Sequence, residues 1–168
     1  MKGLIKKILR EQTSNTVLVV FGGIGYATPE WMESQIPTSI SDNRTIIIKS
    51  YNSNVQEVID ELSNLEYNNL DVVGFSAGGR NVFKLVKKID ATLVGLIDPT
   101  VPLSWSLEGF PTNSILFFNN DNWVKFPDIK ERQRDLEKEM KSKGMSVVEE
   151  DLRHKDFPNK FFDEYMKQ

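Results

Sequence analysis

One serine of this chain lies in a pattern that is typical of reactive hydroxyl groups. The segment GFSAG at residues 74–78 has the form G-x-S-x-G, and it joins an apolar run to a helical pattern. A serine on such a sharp strand-to-helix turn projects its hydroxyl away from the backbone. Its neighbours must be small because the strand and the helix pass close together. The motif therefore marks Ser76 as the first candidate for chemistry.

The composition narrows the chemistry that could surround this serine. The 168 residues include one histidine and no cysteine, so any histidine-dependent catalysis must use His154, and thiol nucleophiles and thiolate metal sites are excluded. A metal site would need mostly carboxylates, and we predict neither a metal nor a cofactor. The net charge of −3 offers no basic field to a phosphate backbone, so nucleic acid is not expected as a partner.

A glycine-rich segment, GGIG at residues 22–25, invites comparison with nucleotide-binding loops. It begins like G-x-G-x-x-G, but Thr28 stands at the third glycine position. The run TIIIK at residues 45–49 ends without the acidic residue that a ribose contact requires. Dinucleotide binding is therefore not predicted.

The N-terminal segment MKGLIKKILR is basic and amphipathic, but it lacks the features of a signal peptide. We predict a short helix there that packs Leu4, Ile5, Ile8 and Leu9 on the core, with a membrane-surface anchor as the alternative. No apolar run approaches the ~20 residues needed to cross a bilayer. The expectation is a cytoplasmic protein without membrane association.

Six short apolar runs alternate with helical patterns along the chain. The predicted strands are 16–21, 45–49, 70–75, 91–97, 114–118 and 145–149. Helices are predicted at 29–34, with Thr28 as N-cap, at about 55–65, at 127–143 with Gly144 as its stop, and at 159–166. A further helix is predicted to start directly after residue 79 and to carry Val82, Leu85, Val86 and Ile89 on one face. Strands of this kind indicate a doubly wound α/β fold: one domain, 1–168, with a six-stranded, mostly parallel sheet covered by helices on both faces.

Ligands of such sheets bind outside the carboxyl ends of the strands. The candidate residues that come shortly after the predicted strands are the glycine-rich segment, Ser76, Asp98, Asp121 and His154. The residue types that can do chemistry are therefore expected at one edge of the sheet.

Together these residues resemble the α/β-hydrolase family, which has a nucleophile elbow, a glycine-rich turn after an early strand, and the chain order serine, acid, histidine. The resemblance covers the chain from residue 16 onward. It implies a minimal serine esterase or acyl hydrolase without a cap domain. Such an enzyme would form an acyl-enzyme on Ser76 from an ester or thioester, with His154 as general base and Asp121 orienting it. Asp98 is the alternative acid, because some lipases of this fold use that position.

The same resemblance implies further site residues. An oxyanion hole would use the N–H of Ala77 and that of Gly23 or Ile24, between which the sequence does not choose. The residues expected to line a pocket for a small-molecule or acyl-ester substrate are Tyr26, Leu103, Trp105 and Trp123. Two departures, Phe21 in place of the family's frequent histidine and the lack of an N-terminal hairpin, point to a reduced version of the fold. An acyltransferase with the same triad, or a non-catalytic binding protein that keeps the fold, are the alternatives.

Overall fold

A single parallel sheet organises the chain, and the computed structural model describes residues 15–166. Its strands are β1 (Thr16–Phe21), β2 (Thr45–Lys49), β3 (Asn69–Phe75), β4 (Leu93–Ile97), β5 (Ser114–Phe118) and β6 (Ser146–Glu149). The strand order is β2-β1-β3-β4-β5-β6, and every neighbouring pair is parallel. The predicted doubly wound α/β class with six strands is therefore confirmed.

Helices cover the sheet on both sides. They are α1 (Pro29–Gln35), α2 (Thr38–Ser41), α3 (Val55–Ser63), α4 (Gly79–Leu85), α5 (Pro127–Ser142) and α6 (Phe157–Tyr165). The predicted cap of α1 is confirmed, since Thr28 Oγ1 accepts a hydrogen bond from the Trp31 N–H at 3.2 Å. The sequence did not predict α2, because one turn is too short to carry a periodic pattern.

Two apolar layers hold the helices to the sheet. On one face, α3, α4 and α5 pack on alternate strand residues such as Val72. On the other, α1, α2 and α6 pack on the intervening residues such as Val73. Alternate side chains of a strand point to opposite faces, so strands that are apolar throughout are buried on both sides. Gly95 allows α6 to lie close, since a Cβ there would stand 2.4 Å from Cζ of Phe161.

The direction of the chain reverses beside β1. The connection from β1 to β2 runs over the face that carries α1 and α2, and the chain then returns past β1 to β3 by way of α3 on the other face. The loop after β1 therefore leads to one face of the sheet, and the loop after β3 leads to the other. Doubly wound sheets form their binding crevice between two such loops. These loops contain Gly23 and Ser76.

The predicted helix that carries Leu4, Ile5, Ile8 and Leu9 lies outside the described residues. Within residues 15–166, no helix is both long enough and apolar enough to span a membrane. The predicted boundaries shift by up to two residues at the last helix, because Pro158 takes an early position in α6 and the helix starts at Phe157.

Candidate functional site

Ser76 opens the short 3-10 turn Ser76–Gly78 directly after β3, and its φ is +54°. The glycines around it are required by close backbone contacts. A Cβ on Gly74 would lie 2.7 Å from the carbonyl oxygen of Gly78, and a Cβ on Gly78 would lie 2.3 Å from that of Phe21. The strained turn that the G-x-S-x-G pattern predicts is present, and the rest of the fold holds it in place.

The glycine-rich turn after β1 lies against Ser76. A Cβ on Gly23 would stand 2.9 Å from Cβ of Ser76, so only glycine fits there without a shift. The side chain of Ile24 is exposed to solvent, and Ala77 follows Ser76 in the buried 3-10 turn. Of the predicted oxyanion-hole residues, the structure thus brings Gly23 and Ala77 next to the serine.

His154 is paired with a buried carboxylate. It lies in the 3-10 turn His154–Asp156 after β6, and its Nδ1 is 2.6 Å from Oδ2 of Asp98. The side chain of Asp98 is fully buried, whereas that of His154 is 28% exposed. An ionised carboxylate only accepts hydrogen bonds, so Nδ1 carries the donated proton. In the neutral imidazole, Nε2 then keeps a free lone pair, which is the form of histidine that acts as a base.

Four further donors surround the carboxylate of Asp98. Its Oδ1 accepts hydrogen bonds from the backbone N–H of Asn119 at 3.3 Å, from Nε1 of Trp123 at 3.2 Å and from Nε2 of Gln133 at 3.4 Å. Its Oδ2 accepts one from Nδ2 of Asn122 at 2.8 Å. All four donors are uncharged, so they satisfy the buried carboxylate without cancelling its charge.

The position of Asp121 corrects the preferred choice of acid. Its side chain is 83% exposed and forms an ion pair with Nζ of Lys130 at 3.2 Å. It belongs to the 3-10 turn Asn120–Trp123, where its carboxylate is exposed to solvent. Asp98, the alternative acid, is the partner of His154. Both aspartates come shortly after a strand, and strand ends alone did not separate them.

Aromatic rings bring the imidazole close to the serine turn. The ring of His154 stacks on Phe75, the residue before Ser76, with centroids 4.6 Å apart. Its edge meets Trp123 at 5.2 Å. Two more rings extend this aromatic cluster. The ring centroids of Phe75 and Trp31 are 5.9 Å apart, and those of Trp31 and Tyr26 are 5.0 Å apart. The imidazole is therefore fixed on two sides by packing as well as by Asp98.

The predicted pocket residues divide between the edge and the core. Tyr26 is half exposed at the edge, and burial raises the pKa of its phenol, with Asp98 and Asp156 adding to the effect. Trp123 contacts the imidazole, as described above. Trp105 packs against the apolar layer beneath α3, α4 and α5, while Leu103 is exposed. The structure thus places Trp105 with the core.

Sequence reasoning missed Gln133, a fully buried residue of α5. A signal for it was present, because residues 129, 133, 136 and 140 share one face of the helix at helical spacing, and Gln133 is the polar member of that stripe. Within residues 15–166, no group of three or more metal-binding side chains is placed to hold a metal ion.

Comparisons with known proteins show no family. No family model and no curated protein matches the chain. A similar solved structure is that of a short-chain flavodoxin associated with a bacterial microcompartment, at 12% identity and a TM-score of 0.37, covering 88% of this chain and 94% of that chain. The predicted membership of the α/β-hydrolase family is wrong by this comparison, since the similarity found is to a flavodoxin.

The predicted serine esterase or acyl hydrolase activity rested on that membership and is wrong as well. The acyltransferase and binding-protein alternatives rested on the same resemblance. The flavodoxin, at this level of similarity, transfers neither a flavin nor a redox role to this chain. Any function must therefore be argued from the side chains at the carboxyl edge of the sheet.

Proposed function

We propose that the carboxyl edge of the sheet is a general-base site, in which Asp98 holds His154 and His154 takes the proton of the Ser76 hydroxyl. The observation that carries this proposal is the 2.6 Å hydrogen bond between Nδ1 of His154 and Oδ2 of Asp98. A buried acid on Nδ1 fixes both the orientation and the tautomer of the ring, and directs the basic Nε2 away from itself. The Ser76 oxygen can then form a bond to an electrophilic centre of a bound ligand. The bond to the leaving group of that ligand breaks, and the leaving group receives the proton from Nε2 of His154.

The register of the sheet supports this assignment. Phe75 of β3 is paired with Ile97 of β4, so Ser76 and Asp98 leave neighbouring strands at the same level. The ring of His154 lies on Phe75, one residue from the serine. The acid, the base and the hydroxyl therefore come from three strand ends that the parallel pairing holds at one edge.

The electrostatics of Asp98 support it as well. When His154 takes a proton, a positive charge forms on the imidazole, and the negative charge of the carboxylate stabilises it. The uncharged donors around Asp98 leave that negative charge in place. In a site screened from water, such an interaction is stronger than at a protein surface.

Backbone N–H groups are the proposed partners of the negative charge that forms on the ligand. Gly23 lies against Ser76 and Ala77 follows it, so their N–H groups are the proposed donors to the negative charge that develops on a ligand that the serine attacks. Proximity to Ser76 favours Gly23 over Ile24 as the second donor.

The test is covalent labelling with a fluorophosphonate, an electrophile that reacts with activated hydroxyl groups. We expect one adduct per chain by intact mass, located on Ser76 by peptide mapping, and none in Ser76→Ala. An adduct on another residue, or no adduct on the folded wild-type chain, would reject the proposal.

Two aspartate variants form a matched pair for the role of the acid. Asp98→Asn exchanges the partner of His154 for an amide of the same shape, and we expect the labelling rate to fall by about a hundredfold or more because the tautomer is no longer fixed. Asp121→Asn changes an exposed carboxylate of the neighbouring loop, and it should label at the wild-type rate. Equal rates for the two variants would contradict the assignment of Asp98.

A further inference from the structure

We infer that Gln133 is a positioning residue, which aims the carboxylate of Asp98 at His154; the inference rests on the proposed function of this edge. Nε2 of Gln133 donates to Oδ1 of Asp98 at 3.4 Å and to the carbonyl oxygen of Pro99 at 3.2 Å. Its Oε1 accepts from Nδ2 of Asn120 at 3.1 Å. One amide thus joins α5 to the loops that follow β4 and β5.

The surroundings show why this amide is not ordinary core packing. Gln133 is fully buried on the same helix face as Leu136 and Met140, which pack in the apolar layer. Burying a polar group costs free energy unless its hydrogen bonds are made. An apolar side chain would fill this position in the layer at a lower cost in free energy. Both ends of the Gln133 amide are nevertheless paired. Its Asn120 partner is fixed in turn, since Oδ1 of Asn120 accepts from Nε of Arg134 at 3.0 Å.

The geometry indicates what the amide does. Asp98 has a φ of +39°, a conformation that L residues rarely adopt. The NH₂ group of Gln133 binds the side chain of Asp98 and the carbonyl of the next residue, so it holds the unusual turn and one carboxylate oxygen together. With Oδ1 held in this way, Oδ2 is directed at the imidazole. Gln133 therefore acts on His154 through Asp98, without touching the ring.

The single histidine provides a direct readout. In ¹⁵N-histidine-labelled protein, every imidazole signal comes from His154, and we expect the wild-type ring to carry its proton on Nδ1 with a low-field proton resonance. Gln133→Met keeps the length of the side chain but removes its hydrogen bonds. We expect the Nδ1 proton resonance to move upfield and to exchange faster with water. The rate at which Ser76 is labelled should fall by about tenfold, by analogy with the loss caused by removing a hydrogen-bond partner of a metal-bound histidine.

Leu136→Ala is the matched control. Leu136 is buried one helical turn along the same face of α5, so its truncation lowers the urea midpoint without removing a partner of Asp98. The His154 resonance should stay at its wild-type position. A shift in this variant as large as that in Gln133→Met would show that loosening α5 is sufficient, and would overturn the inference.

An unchanged His154 resonance in folded Gln133→Met would also overturn it. If that variant does not fold, Gln133→Glu replaces it, because the new side chain keeps its length and an acceptor for Asn120. It turns a carboxyl oxygen toward Oδ1 of Asp98, and a resonance at the wild-type position would again contradict the inference. The spectrum requires no labelling of Ser76. Failure of the labelling experiment would reject the proposed function, whereas the spectrum alone decides the positioning role.

Discussion

Two buried carboxylates lie at opposite edges of the sheet, and their surroundings differ sharply. Asp98, at the carboxyl edge, accepts hydrogen bonds from five groups, one of them an imidazole. Asp71, near the amino edge in β3, faces the guanidinium of Arg44, with Nε and Oδ2 separated by 3.6 Å. Burial raises the pKa of Asp71, and the attraction of Arg44 offsets only part of that rise.

The difference lies in the kind of partner that each carboxylate faces. Arginine keeps its charge at every pH that proteins tolerate, so Arg44 can neither give a proton to Asp71 nor take one from it. At the carboxyl edge, the imidazole can change its charge, while neutral donors hold the carboxylate in place. Burial of an acidic group is thus common to both edges, and the nature of its partners decides what each can do.

Removal of the acid at the carboxyl edge should have the largest effect. Asp98→Ala leaves four uncharged donors and the imidazole without their acceptor, and we expect a loss of about 3–5 kcal/mol in the free energy of unfolding. Urea denaturation would measure this loss, and Ser76 should no longer be labelled. A loss below about 1 kcal/mol would show that water replaces the carboxylate and that the hydrogen bonds count for little.

Removal of the cation at the amino edge should have the next largest effect. Arg44→Met strands the carboxylate of Asp71, at an expected cost of about 3 kcal/mol near pH 7. Burial raises the pKa of Asp71 above its unfolded value, and loss of Arg44 raises it further, so the folded state favours the protonated acid. The deficit relative to wild type should therefore shrink as the pH falls toward the unfolded aspartate pKa of about 3.9, and grow as the pH rises through the folded pKa.

The control for this pH dependence is the double variant Arg44→Met with Asp71→Asn. It has no titrating group at this position, so its stability difference from wild type should lack the acid-side recovery of the single variant. Urea midpoints between pH 4 and pH 7 would test both. Parallel pH profiles for the two variants would assign the effect to another group. Neither change should alter the rate at which Ser76 is labelled, since both lie at the opposite edge.

The smallest effect is expected where one donor of several is removed. Trp123→Phe deletes the indole N–H that bonds to Oδ1 of Asp98 but keeps an aromatic ring beside His154. Because Oδ1 retains its bonds from Asn119 and Gln133, we expect a cost of about 1 kcal/mol. Urea denaturation measures it. A cost equal to that of Asp98→Ala would mean that the donors do not share the carboxylate, and it would weaken the contrast with Asp71.

The fold was predictable because its signals are local. β-branched runs such as residues 16–21 mark buried strands, and Thr28 followed by proline marks the start of a helix. The position of Ser76 was predictable for the same reason, since the flanking glycines record the tight turn that it needs. The glycine-rich segment was expected at the same edge because the carboxyl ends of parallel strands share one edge in a doubly wound sheet, but the sequence did not choose between Gly23 and Ile24.

The partners of His154 could not be predicted in the same way. Asp98 and Asp121 both follow strands, and the choice between them depends on a backbone angle at Asp98 and on the 3-10 turn that carries Asp121 outward. Neither depends on a local sequence pattern. Gln133 was recognisable as a polar residue in an apolar stripe. Its hydrogen-bond partner Asp98 lies 35 positions away in the chain, so only the packed structure connects the two.

Ser76 and Asp98 share one further property: among the described residues, they are the two that are not glycine and yet have a positive φ. An L side chain in that region costs about 1–2 kcal/mol relative to the ordinary conformations. Glycine would avoid that penalty at either position, at the loss of the hydroxyl or the carboxylate. The chain therefore carries two backbone penalties side by side, at the ends of adjacent strands. A sequence optimised for stability alone would not keep them. Their presence is what we expect where a side chain is retained for function at a cost in folding free energy.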